Sequence, residues 1–245
     1  LCRNSYADMD IGGFVSTALE NAKMAQNPES IEPGDYTVIF EPAALASILG
    51  FMLWNMKARD ADEGTTFFAG KVGEKLFSEK IDISLRIDDP ELPPPTYGED
   101  GLPVRPQTWV DGGVLKRLYH DRYWAKEKGV EPDSNLYPVF VSGEDNSVSD
   151  LVSRCEKGLL VKNLWYIRYV DRRELLLTGM TRDGVFRVEN GEVTTPVKNL
   201  RFNESPIVLL NNALALSRPE RIGAYAKIPG ILTEGFTFSS KTESL

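Results

Sequence analysis

Two spacings of apolar residues alternate along this chain, and each marks a kind of element. In "GGFVSTALENAKMAQNPES" the apolar positions recur at helical spacing, which predicts an amphipathic helix closed by Asn27-Pro28. The next stretch, "EPGDYTVIFEP", is rich in β-branched and aromatic residues and predicts a buried strand. From Pro42, "PAALASILGFMLWNMKARD" predicts a second helix with proline in its first turn, where a missing N–H is tolerated. Its apolar residues run almost all the way round before charge appears at Lys57, so it is expected to be buried on nearly every side. "ISLRIDD" and the two halves of "VRPQTWVDGGVLKRLY" read as strands, the latter pair joined at Asp111-Gly112-Gly113. "RYWAKEKG" reads as a short helix closed by Gly129.

Beyond a loop rich in Pro, Asp and Asn, "YPVFVSG" predicts a strand. "SVSDLVSRCEKG" predicts a helix capped by Ser147, with Asp150 in its first turn, Cys155 inside it and Gly158 beyond its end. Strict alternation then takes over in "LLVKNLWYIRYVD" and "ELLLTGMTRDGVFRVENGEVTTPVKNLRF", where Asn190-Gly191 is the best type I′ hairpin signal in the chain. "SPIVLLNNALALS" predicts a last helix, and the tail after it reads as irregular. Strands outnumber helices without a strict βαβ alternation. The expected class is α+β, with largely antiparallel sheets and a few packed helices.

Composition narrows the partners. The chain has 245 residues, 42% of them hydrophobic, enough for a substantial core. Its 36 acids against 28 bases give a net charge of −8, and no tract of Lys and Arg could follow a phosphate backbone, so nucleic acid is not an expected partner. No apolar run approaches the roughly 18 residues that a membrane-spanning helix needs, and "LCRNSYADMDIGGF" lacks the order of a signal peptide, so the expected compartment is cytoplasmic, with no membrane partner. Cys2 and Cys155 are far apart and in no CxxC pair, which fits two reduced thiols.

Several stretches imitate chemistry that they do not carry. In "GTTFFAGKV", five residues instead of four separate Gly64 from Gly70, and Val72 stands where a phosphate loop needs a hydroxyl. The adjacent Asp88 and Asp89 read as a turn before proline, and "ARDADEG" as a solvated helix exit without the spaced glycine and closing glutamate of a calcium loop. His120 is the only histidine. A zinc-peptidase helix of the HExxH or HExxxH kind needs two imidazoles, so the chain cannot carry one. No GxSxG elbow occurs, and aromatic neighbours favour packing for His120, although a distant serine or Cys155 could still meet it in the fold.

Taken in order, "EGTTFFAGKVGEKLFSEKIDISLRIDDP", "EDGLPVRPQTWVDGGVLKRLYHDRYWAKEKG" and "KGLLVKNLWYIRYVDRRELLLTGMTRDGVFRVENGEVTTPVKNLRFNESPIVLLNN" resemble the C-terminal domain of the TldD/PmbA family, from about Tyr36 to about Gly235. That resemblance implies an intracellular peptidase system, once described as a modulator of DNA gyrase, in which a zinc-bearing TldD-type subunit pairs with a PmbA-type (TldE) subunit. In zinc-bearing members an HExxxH helix precedes the block that "GTTFFAGKVGE" matches, and a further cysteine ligand lies near the C-terminus. Counting back places Leu49, Gly50 and Trp54 where His, Glu and His would stand, and the tail has no cysteine. The resemblance is therefore to the metal-free, PmbA-like branch: no catalytic residues, no metal, no cofactor.

The expected organisation is an N-terminal helical segment over 1–35, the remnant of a larger domain, followed by a TldD/PmbA C-terminal-like domain over 36–245. The expected role is to hold an extended peptide and pair with a TldD-like zinc peptidase subunit or with itself, with Arg122, Tyr123 and Trp124 as a charged and aromatic rim. Two alternatives stand beside it: a metal-independent hydrolase that uses His120, and a purely structural assembly domain.

Overall fold

The computed structural model describes residues 5–98 and 100–242; Cys2 lies outside them. Helix α1 (Ile11–Met24) starts at Asp10, whose carboxylate accepts a hydrogen bond from Gly13 N–H at 2.8 Å. The chain then enters strand β1 (Gly34–Phe40), helix α2 (Pro42–Trp54) and the short helix α3 (Ala58–Asp62). Strands β2 (Ile83–Leu85), β3 (Gln107–Asp111) and β4 (Val114–Leu115), helix α4 (Arg122–Lys128), strand β5 (Val139–Val141) and helix α5 (Val148–Ser153) follow. The second half comprises β6 (Lys157–Asp171), β7 (Leu176–Glu189), β8 (Glu192–Pro196), β9 (Leu200–Glu204), α6 (Pro206–Asn211), β10 (Ala213–Leu216), β11 (Glu220–Ile222), β12 (Ala226–Ile228) and β13 (Ile231–Lys241). The class is mixed α+β.

Two sheets organise these elements. In the first, β1, β6, β7, β9 and β13 are hydrogen-bonded in that order, and β13 returns to pair with β1, closing a five-stranded barrel. Only the β1–β6 pairing of that ring is parallel. β8 and β10 attach outside the ring, on β7 and β13. The second sheet has the order β11-β12-β5-β2-β3-β4, antiparallel except at β12–β5.

Burial explains why the barrel strands read as apolar runs. On β1, Val38 and Phe40 belong to the main core, whereas Ile39 faces a smaller cluster with Leu160, Phe186, Val188 and Leu232 under α5. Both faces of the strand are covered, so "YTVIF" has no polar alternation to show. Phe236 gathers the aromatic part of the main core: its ring lies 4.9 Å from Phe40, 5.6 Å from Phe202 and 5.2 Å from Phe238. Phe236 and Phe238 share a face because strand side chains alternate with period two.

Helix α2 packs against β1 and β6 of the barrel and against β11 and β12 of the second sheet. Ala44, Leu45, Ile48, Leu49, Met52 and Leu53 are all buried, as expected of a helix without a polar face. Trp54, its last residue, is the exception at 54% exposure.

Four expectations need correction. The tail is not irregular: it supplies β11, β12 and the eleven-residue β13 that closes the barrel. Its alternation is interrupted at Gly235, which takes φ +68°, a conformation that suits glycine and shifts the register. The helix predicted from "SPIVLLNNALALS" ends at Asn211, and the "ALAL" stretch becomes β10, paired with β13. Helix α5 ends at Ser153, so Cys155 lies beyond it and Gly158 lies within β6, where a Cβ would sit 2.5 Å from the Thr37 carbonyl. Finally, α1 has the amphipathic spacing but buries none of its residues: Ile11, Phe14, Val15 and Leu19 are exposed, and it is the small Ala18, Ala22 and Ala25 that line a cleft of about 1030 Å³ against the barrel.

Other expectations hold. Asn190 and Gly191 both take positive φ between β7 and β8, Gly129 closes α4 in the left-handed region, and Ser147 and Asp150 form a reciprocal capping box on α5. Asp89 makes the expected turn, accepting from Glu91 and Leu92 N–H. Among the described residues no helix is long and apolar enough to cross a membrane.

Phe236→Ala removes the ring shared by three neighbours and is expected to destabilise the fold by about 3–5 kcal/mol, measured by urea unfolding. Asp89 also pairs with Lys227 at 2.9 Å, anchoring the proline-rich 88–106 loop to β12. Burial pushes the Asp89 carboxyl upward, but Lys227 and the backbone N–H donors outweigh it and hold it below its ordinary value of 3.8. A depressed native value means that the stabilisation is complete above 3.8 and is lost as pH falls through the native value. Asp89→Asn is therefore expected to cost about 1 kcal/mol at neutral pH, a gap that closes in acid urea titrations.

Candidate functional site

His120 sits between β4 and α4, and its neighbourhood is structural. Its Nδ1 lies 2.9 Å from the Leu118 carbonyl, which can only accept, so the ring donates an Nδ1–H to that oxygen. Its backbone N–H donates to Asp133 Oδ2 at 2.9 Å, and Asp133 N–H donates back to the His120 carbonyl at 2.8 Å. Asp133 is fully buried and ion-paired with Arg117 at 2.6 Å; Arg117 in turn donates to Gln107 Oε1 at 2.9 Å. Burial pushes the Asp133 carboxyl above its ordinary range, against the opposing pull of the His120 N–H and the Arg117 guanidinium. Among the described residues no serine, threonine or cysteine side chain hydrogen-bonds the His120 ring. Cys155 is buried in the smaller core cluster, among Leu151, Leu160 and Phe186, where burial raises its thiol. Asp133 is the hub here, and nothing in "EPDSNLYP" distinguishes it from a turn residue.

The three rim residues have different situations. Helix α4 starts at Asp121, whose carboxylate caps Trp124 N–H at 2.7 Å. Arg122 is tied to the neighbouring loop, with its backbone N–H on the Asp100 carboxylate and its Nη1 on the Asp100 carbonyl at 3.0 Å. The Trp124 indole N–H donates to Asp62 at 2.8 Å, and the ring has Arg59 and Lys128 at 5.6 and 5.1 Å from its centroid. Lys128 also pairs with Asp62 at 3.0 Å. Burial raises the Asp62 carboxyl, but Lys128 and the Trp124 indole outweigh it and hold it low. Arg122 and Trp124 thus tie α4 to its surroundings, while Arg122 and Tyr123, the latter 61% exposed, both present surface to solvent.

The positions that the family resemblance sets against a metal helix lie on α2. Leu49 is 1% exposed in the main core, a Cβ on Gly50 would meet nothing within 4 Å, and Trp54 presents its indole at the surface. A leucine, a glycine and an indole offer zinc no side-chain donor at neutral pH. Among the described residues no group of three or more His, Cys, Asp or Glu is placed to hold a metal ion. This donor set does not fit zinc. Around Trp54 the surface is aromatic instead, with Phe51, Tyr137, Tyr169 and Tyr225, residues that apolar spacing alone does not bring together.

Comparison with known proteins places this geometry. Over residues 33–240 the chain matches the PmbA/TldA metallopeptidase C-terminal domain. Among curated proteins it is 25% identical over 189 residues to a metalloprotease of Methanothermobacter thermautotrophicus, covering 68% of this chain and 39% of that protein. It is 20% identical over 203 residues to a zinc metalloprotease TldD homolog of Saccharolobus solfataricus, covering 76% and 44%. The chain spans from 39% to 58% of the length of the curated relatives it matches. Its fold is similar to TldE from Thermococcus kodakarensis (TM-score 0.85, 23% identity, 95% of this chain and 56% of that one). It is also similar to a candidate modulator of DNA gyrase from Thermotoga maritima (TM-score 0.88, 18% identity, 97% and 57%). The match across nearly the whole barrel and second sheet makes the chain a member of the PmbA/TldD metallopeptidase-related family, in its C-terminal domain.

Proposed function

We propose that this chain is a zinc-free, PmbA-like subunit or domain that holds an extended peptide and pairs with a zinc-bearing TldD-type partner. The observation that supports the reading is the content of α2: the positions that the family resemblance sets against His, Glu and His hold a core leucine, a glycine and a surface tryptophan. Replacing Leu49 by an imidazole would put a polar ring among Leu45, Ile48 and Leu53 with no partner, so packing and metal ligation compete for the same position.

Peptide holding is supported by an open sheet edge. Barrel closure uses up the edges of β1, β6, β7, β9 and β13, but β11 ends the second sheet, and among the described residues its strand pairing is with β12. The other end, β4, is covered by the 73–75 segment: Gly73 N–H donates to the Leu115 carbonyl at 2.7 Å, and Leu115 N–H to the Glu74 carbonyl at 2.9 Å. An extended peptide added along β11 gains main-chain hydrogen bonds that depend little on its side chains. Of the rim residues, Arg122 and Tyr123 are exposed to such a partner, and Trp124 fixes the helix that carries them.

Mixed with a zinc-bearing subunit of the family from the same source, the chain is expected to elute as a complex of defined mass. Peptide hydrolysis should require that subunit and be unchanged by His120→Ala. Hydrolysis by the isolated chain that His120→Ala abolishes would establish the metal-independent hydrolase instead. A complex that forms but leaves peptide binding and turnover untouched would make the chain a structural assembly domain.

A further inference from the structure

Strand β6 breaks its own alternation halfway along. Its pairing with β7 shifts register between Trp165 and Arg168, and within that bulge Tyr166 takes φ +55°, in the left-handed region that favours glycine. Neighbours on a regular strand point to opposite faces. Here the bulge leaves both Trp165 and Tyr166 in solvent, 48% and 53% exposed, with ring centroids 5.5 Å apart. The residue that bears the backbone strain is thus an exposed aromatic that the core does not need, and strain of this kind concentrates where proteins meet their ligands.

Each ring carries a guanidinium. Arg182 of β7 lies 4.3 Å from the Trp165 centroid, and Arg168 lies 4.4 Å from that of Tyr166. Arg168 donates to the Ile167 carbonyl at 2.7 Å and has no carboxylate partner among the described residues. Arg182 has Asp183 at 3.7 Å, beyond hydrogen-bond length. A guanidinium over a ring keeps in-plane N–H groups for a two-pronged contact with a carboxylate. Val170, 55% exposed, continues the patch along the strand. Tryptophan, tyrosine and arginine are the residues enriched among those that carry most of the energy of protein interfaces.

Charge decides between the occupants of such a patch. A second copy would meet it across a two-fold axis, which sets a surface against itself. Arg168 and Arg182 would then face their own copies with only Asp183 to offset them. A single-stranded nucleic acid stacks its bases on bare rings beside a basic groove, whereas here a guanidinium already lies over each ring and the chain has a net charge of −8. A different protein, with carboxylates around an apolar spot, meets neither difficulty. We propose that the β6 bulge, with Trp165, Tyr166, Arg168 and Arg182, is the surface on which this chain docks its heterologous partner subunit, and that the partner's docking face is acidic with an apolar centre. The proposal rests on the pairing reading and gives that pairing a place on the barrel, separate from the β11 edge, which belongs to the other sheet.

The test is titration calorimetry of the chain with a zinc-bearing subunit of the family from the same source. Arg168→Glu or Arg182→Glu is expected to weaken the complex about hundredfold, and Trp165→Ala about thirtyfold. Tyr166→Gly is expected to weaken it about tenfold without lowering the melting temperature, because glycine accepts the backbone of the bulge; loss of a merely structural tyrosine would lower it. Arg105→Glu, the same charge change on the exposed 88–106 loop, is expected to leave the affinity unchanged. Undiminished affinity in all the β6 and β7 variants overturns this surface and leaves the pairing reading intact. A homodimer of the chain alone, or a complex with a single-stranded oligonucleotide, that Arg168→Glu dissolves while the heterologous complex survives also overturns it. No complex with the unaltered chain overturns both.

Discussion

Burial of α2 between a closed barrel and a second sheet is the constraint on which the rest depends. A helix in that place has no solvent face to give to polar residues, and each buried Leu or Ile side chain contributes roughly 1.5–3 kcal/mol by leaving water. Leu45, Ile48, Leu49, Met52 and Leu53 accordingly fill it. The same packing that holds the two sheets together leaves no buried position on this helix for an ionisable side chain without a partner. Only its last turn, where Trp54 emerges, presents a large side chain to solvent.

The barrel reaches α2 through chain closure. β1 leads directly into α2, and β1 is held on one side by β6 and on the other by β13. The strand that closes the ring comes from the far end of the chain, so the position of α2 depends on residues almost two hundred positions away. Val38 pairs with Thr233, and Phe40 with Ile231. Helix α2 and the β11–β12 edge are thereby brought to one region, although they are distant in sequence.

Much of this was legible in the residues, and the exceptions have physical causes. Short-range signals worked because they are local chemistry: Asn190-Gly191 forms its turn, Gly129 its helix stop, Ser147 its cap, and the all-round apolar pattern of α2 its burial. Two failures came from tertiary pairing. "ALAL" has helical propensity but becomes a strand because β13 offers it hydrogen bonds, and β13 hides its own period behind the kink at Gly235. The site was less legible than the fold. His120 drew notice as the sole histidine, yet the group that organises its surroundings is Asp133, in a loop with no distinguishing pattern. Trp54, Tyr137, Tyr169 and Tyr225 are spread over the chain and converge only through the two sheets.

The central claim is that α2 is a packing helix and not a metal helix. The most direct measurement is elemental analysis of the pure chain after equilibration with zinc and desalting. The account predicts far less than one transition-metal ion per chain. One tightly held ion per chain would contradict it, because such an ion would need ligands that Leu49, Gly50 and Trp54 do not supply.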